Sequence, residues 1–115
     1  MDITPEARQR LARYLEERAL YLGLTWREVA KRADISIETL RLLRAGDDGA
    51  RPVTLRKVDR GLEWTPGSAA RVLYEAGEPE DIFTPEERRT MLMYPGSVAE
   101  GVARREGGRK NGATG

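Results

Sequence analysis

The stretch TWREVAKRADISIETLRLLRAG, residues 25–46, holds two short helices and the turn between them. Thr25 and Glu28 stand three residues apart, the spacing at which a hydroxyl and a carboxylate satisfy each other's free backbone amides at a helix start. That helix runs to about Ala33, and Asp34-Ile35 makes the turn. Ser36 caps the next helix, whose Leu40 and Leu43 form a narrow apolar stripe before Gly46 stops it. Two steeply crossing helices need a small side chain at their contact, and Ala30 supplies it.

Outward from this stretch the same cap-and-stripe logic repeats. Upstream, Thr4 caps a helix with Pro5 at its first position, and Leu11, Leu15, Ala19 and Leu22 follow as an apolar face that Gly23 ends. Downstream, Asp47-Asp48-Gly49-Ala50-Arg51-Pro52 is a loop, and Thr54 is expected to cap a fourth helix carrying Leu55, Val58 and Leu62 inward, with Trp64 closing the core. Thr65-Pro66 then opens a fifth helix with Ala69, Ala70, Val72 and Leu73, ending near Gly77. The expected architecture is all-α, with a five-helix domain over residues 1–77. Residues 78–106 follow as a helical C-terminal extension: Thr84-Pro85-Glu86-Glu87 starts a sixth helix to about Met93, and Tyr94-Pro95-Gly96-Ser97 starts a seventh. Residues 107–115 have no apolar face and form a disordered tail in this reading.

Composition narrows the chemistry. The 115 residues suit one domain with an appendage, and 39% hydrophobic with 34% charged residues is a globular balance. Cysteine and histidine are both absent, which removes disulfides, thiolate and imidazole zinc sites, and nucleophiles activated by histidine. Glu16-Glu17, Asp47-Asp48 and Glu86-Glu87 are conceivable acid, base or metal groups, with a solvated surface as the ordinary alternative. No enzyme activity, cofactor, metal or small-molecule ligand is expected. No apolar run reaches the ~18 residues of a membrane span, and the start Met1-Asp2-Ile3-Thr4-Pro5-Glu6 has no signal-peptide pattern, so a cytoplasmic location without membrane contact is expected.

The net charge of +1 hides a segregation: basic residues gather between Arg27 and Arg60, and Glu75, Glu78, Glu80, Asp81, Glu86 and Glu87 follow them. A short turn holding a helix proud of a basic surface suits the DNA major groove.

From Leu11 to Leu73 the chain resembles the Xre/Cro-like helix-turn-helix repressors, on the pattern LT-x-x-E-[LV]-A, [VI]-S-x-x-T-[LI]-x-x-[LI]-x-x-G and P-x-x-x-L. Leu24-Thr25, Glu28-Val29-Ala30, Ile35-Ser36, Thr39-Leu40, Leu43 and Gly46 carry the match, with Leu55 one residue closer to Pro52 than the last element of the pattern has it. Three positions depart from it: Trp26 replaces the glutamine common at the start of the second helix, Asp34 the turn glycine, and Arg44 a glutamate near the end of the third helix.

The resemblance implies a recognition helix from Ser36 to Ala45, with Ile37, Glu38, Thr39, Arg41 and Leu42 facing bases or adjoining phosphates. Arg41 would read guanine O6 and N7, Glu38 accept from cytosine N4, and Ile37 meet a thymine methyl. For Ile37 and Leu42 the alternative is core packing, and for Glu38 a partnership with the helix dipole. Trp26, Arg27, Lys31, Ser36, Arg44, Arg51, Thr54, Arg56 and Lys57 are candidate phosphate contacts, as are Arg32 and Arg60. Thr54 is favoured as the hydroxyl at a helix N-terminus, while Trp26 either points its indole N–H at a phosphate or staples the domain surface.

The function this implies is a sequence-specific repressor, bacterial or phage immunity-type, on a double-stranded DNA operator. Residues 84–105, with Met91, Leu92, Met93, Tyr94 and Val98, are the candidate homodimer contact. The same surface suits the alternative of an antitoxin-like or adaptor protein, and a DNA-bending recombination accessory factor is a third option.

Overall fold

The structure is a computed structural model describing residues 3–47 and 50–93. Within them the chain is all helical: α1 (Pro5–Leu22), α2 (Trp26–Ala33), α3 (Ile37–Arg44), α4 (Pro52–Gly61), α5 (Ser68–Glu75) and α6 (Pro85–Met93). It divides after Glu80 into two compact units. The first extends past residue 77 because Glu80 is tied back: its N–H donates to Ser68 Oγ at 3.1 Å, and its carbonyl accepts from Thr65 N–H at 2.8 Å.

The first three helices start on their own side chains. Thr4 Oγ1 accepts from Ala7 N–H at 3.1 Å, the Thr25–Glu28 box closes with bonds of 2.9 and 3.1 Å, and Ser36 Oγ accepts from Thr39 N–H at 3.0 Å. Each cap satisfies an amide that would otherwise lack a partner and contributes about 1 kcal/mol. Gly23 ends α1 at φ 69°, and Asp34 ends α2 at φ 57°, so a side chain stands where glycine is favoured.

Helices α4 and α5 start differently from the expectation. Thr54 does not cap α4; the helix begins two residues earlier, at Pro52, and Thr54 lies in its first turn. Pro52 has the φ a first helical residue needs and no N–H to satisfy, which is the signal Pro5 gives in α1. Thr65 does not cap α5 either, since the helix starts at Ser68 after Gly67 at φ 92°. The cap comes from α4: buried Asp59 accepts Gly67 N–H on Oδ2 and Ala69 N–H on Oδ1, both at 2.8 Å. Burial raises the Asp59 pKa, against the lowering effect of those two bonds.

Leu11 and Leu15 of α1 reach the middle of the core with Val29, Leu40, Leu55, Val58, Leu62, Trp64 and Val72. Burying a leucine or valine stabilises by about 1.5–3 kcal/mol, so α1 acts as the spine on which α3 and α5 pack. Helix α2 lies on α4, where a Cβ on Gly61 would fall 2.7–2.8 Å from Ala33. Arg8 Nε donates to the Gly46 carbonyl at 2.9 Å and Arg18 Nε to that of Leu62 at 2.8 Å, fixing the two ends of α1 to the C-terminal ends of α3 and α4.

In the second unit Thr84 and Glu87 cap α6 reciprocally, at 2.8 and 3.1 Å. Arg88 forks onto Asp81 at 2.8 and 3.0 Å and lies 4.6 Å over the Phe83 ring. No residue of α6 is buried, and Leu92 is 86% exposed. Tyr94 to Ser97, Val98, the rest of 84–105 beyond Met93 and the tail 107–115 lie outside the described residues. No described helix is long and apolar enough to cross a membrane.

Candidate nucleic-acid interface

Helix α3 buries Leu40 and Leu43 and turns Glu38 and Arg41 outward, since each stands two positions before a buried leucine, an offset that falls on the opposite side of a helix. Ile37, at its first position, is 52% exposed, which rules out core packing for that side chain. Leu42 is half-buried and stands at the margin of the face. Thr39 is half-buried too; its hydroxyl accepts from Ser36 Oγ at 2.8 Å, so both residues belong to the helix cap.

Glu38 and Arg41 form a two-bond pair one turn apart, Nε to Oε2 at 3.0 Å and Nη2 to Oε1 at 2.6 Å. Arg41 holds the Glu38 carboxyl below its ordinary pKa, chiefly through these bonds, and the guanidinium is raised in turn. Both side chains are more than half exposed, so the pair adds little to the stability of the fold.

Two tertiary links frame this face. Lys57 of α4 reaches the turn before α3, donating to the Asp34 carbonyl at 3.3 Å with its Nζ 3.7 Å from the carboxylate. The lysine therefore ties the first half of α4 to the one non-glycine residue holding the turn in left-handed geometry. At the other end, the Arg44 guanidinium lies over the Trp26 ring, 4.0 Å from its centre, joining the end of α3 to the start of α2. Trp26 is half-buried and packed against the core, so it staples the surface and also presents Arg44. The departures at Trp26 and Arg44 thus answer each other. Beside them a shallow groove of about 280 Å³ runs between α1 and α3, lined by Gln9, Arg13, Glu16, Trp26 and Arg44 among others.

Arg27, Lys31, Arg51 and Arg56 are exposed, and so is Arg60. Arg32 is exposed but committed to Glu63 at 2.5 Å. Thr54 is half-buried within the first turn of α4 rather than at its cap. The Glu28 carboxyl, lowered in pKa by its bonds to Thr25, belongs to the α2 cap. Sequence reasoning took Glu38 and Arg41 as separate readers, although their spacing of three was a visible sign of the pair. It gave no sign of the Arg44–Trp26 stack, made by residues on different helices.

No group of three or more His, Cys, Asp or Glu that could hold a metal occurs among the described residues. No protein-family model, curated protein or solved structure matches the chain.

Proposed function

We propose that this chain is a sequence-specific, double-stranded DNA-binding transcriptional repressor with an Xre/Cro-like helix-turn-helix, in which α3 enters the major groove. The observation that carries the reading is the outer face of α3: Ile37, Glu38 and Arg41 stand exposed on a self-capped helix that Leu40 and Leu43 lock to the core. A rigid helix with its polar side chains already in solvent pays little ordering cost on docking. Arg44 on Trp26, with exposed Arg27, Lys31, Arg51 and Arg56 and the turn-bound Lys57, supplies the sequence-independent phosphate attraction. The protein acts without cofactor or catalytic chemistry, as a cytoplasmic regulator of a bacterial or phage operator.

The test is selection of bound fragments from a genomic or random DNA library at near-physiological salt. One enriched motif is expected, with Arg41→Ala losing roughly 10- to 100-fold affinity for it, in line with the discrimination of a two-bond arginine–guanine contact. No enrichment at any salt would refute the reading.

A second reading, a protein-interaction or antitoxin-like module, draws on Leu92 and Met93, exposed at the end of α6. As a homodimer contact the same residues would bring two reading helices to half-sites about 34 Å apart. Leu92→Asp would then halve the footprint on an enriched operator, whereas the interaction module has no operator to footprint.

A further inference from the structure

The guanidinium of Arg41 carries five N–H bonds on three nitrogens. Glu38 takes the Nε–H and one Nη2–H. The opposite edge, made of Nη1 and the second Nη2–H, has no bond to any described residue and lies on a side chain 60% exposed. Guanine offers O6 and N7 side by side in the major groove, and two parallel N–H donors on neighbouring nitrogens match them. Read as two independent contacts, the pair would have to separate so that Glu38 could accept from cytosine. Kept together, it leaves the matching fork unbonded on an exposed side chain.

We propose that Glu38 is a positioning residue: it clamps Arg41 through Nε and Nη2 so that the Nη1/Nη2 edge reads one guanine of the operator. This rests on the DNA-binding reading above. Arginine has a long stem with many rotamers, and holding it in one of them before docking removes an ordering cost from the complex. The clamp also carries a sign that sets it apart. A carboxylate facing DNA without a structural task repels phosphate, so removing its charge would tighten every complex. Removing a clamp weakens the cognate complex alone.

The experiment uses the full chain and Glu38→Gln, with fluorescence anisotropy on three duplexes. These are the selected operator, the operator with the contacted guanine replaced by adenine, and a scrambled sequence. Glu38 is exposed, and unchanged far-UV circular dichroism confirms that the variant folds. Glu38→Gln is expected to lose about tenfold affinity for the operator, a middling share of one good base contact. Most of the guanine-over-adenine preference goes with it, while the scrambled duplex binds as before or more tightly. In an Arg41→Ala background the same substitution costs nothing further. Equal tightening on all three duplexes would overturn the clamp in favour of simple repulsion, and a Glu38→Gln loss that persists in the Arg41→Ala background would make Glu38 a direct reader. If the unaltered chain binds operator and scrambled duplex alike, the DNA-reading proposal itself falls, and the clamp with it.

Discussion

Gly61→Ala tests the contact by which α4 holds α2, the helix packed beside α3. A Cβ at Gly61 would stand 2.7 Å from the backbone N of Ala33 and 2.8 Å from both its Cα and its Cβ. Carbon atoms prefer about 3.5–4.0 Å, so α4 and α2 must part by about 1 Å. Forcing a methyl into a packed interior costs about 1–3 kcal/mol, here the upper part, about 2–3 kcal/mol, because two of the three close atoms are backbone, and alanine's better helix propensity returns about 1 kcal/mol. The net loss is about 1–2 kcal/mol, which in a domain of this size lowers Tm by about 5–15 °C. Thermal and urea unfolding followed by circular dichroism measure it. Adding Ala33→Gly removes only one of the three clashing atoms, the Cβ, so the double variant should recover part of the loss and no more. An unchanged or raised Tm in Gly61→Ala would refute the claim that α2 and α4 meet at this glycine.

Two further outcomes follow from the site. Asp59→Asn keeps one acceptor for the two amides at the start of α5, and at pH 7 should cost about 1–2 kcal/mol. Because burial raises the Asp59 pKa, that group's contribution is greatest at low pH and falls as pH rises through the raised value. The native chain's advantage over Asp59→Asn should therefore widen as pH drops from 7 towards 4 in urea titrations, and narrowing would show that the amide bonds outweigh burial. Trp26→Ala removes the surface under Arg44, a contact of about 0.5–1 kcal/mol. Affinity for operator and scrambled duplex should fall alike, by roughly two- to fivefold, and a loss confined to the operator would place Arg44 on a base.

What the sequence made legible was local. Thr4, Thr25 with Glu28, Ser36, and Thr84 with Glu87 act as caps because each bonds an amide three residues away. The buried stripes of α1 and α3 follow from periodicity for the same reason. Thr54 and Thr65 carried the same local signal and misled, because a proline-led start and a carboxylate from the preceding helix won at those places. Gly61 gave no warning, since nothing in a sequence tells which glycine another helix will cross. Of the outer face of α3, the exposed positions were visible in the helix period. The pairing of Glu38 with Arg41 and the stacking of Arg44 on Trp26 depend on rotamers and on helix placement.

The borrowed cap of α5 bears on the order in which the molecule assembles. Helices α1, α2 and α3 carry their own nucleation signals, whereas two amides at the start of α5, those of Gly67 and Ala69, find acceptors only when α4 is in place, across sequence separations of 8 and 10 residues. Closing so short a loop is quick and entropically cheap. The α4–α5 corner therefore zips and unzips as one cooperative segment, and Asp59 is its latch. Fraying that begins in α5 must undo this latch before it can spread to α4, whose lysine clasps the turn ahead of α3.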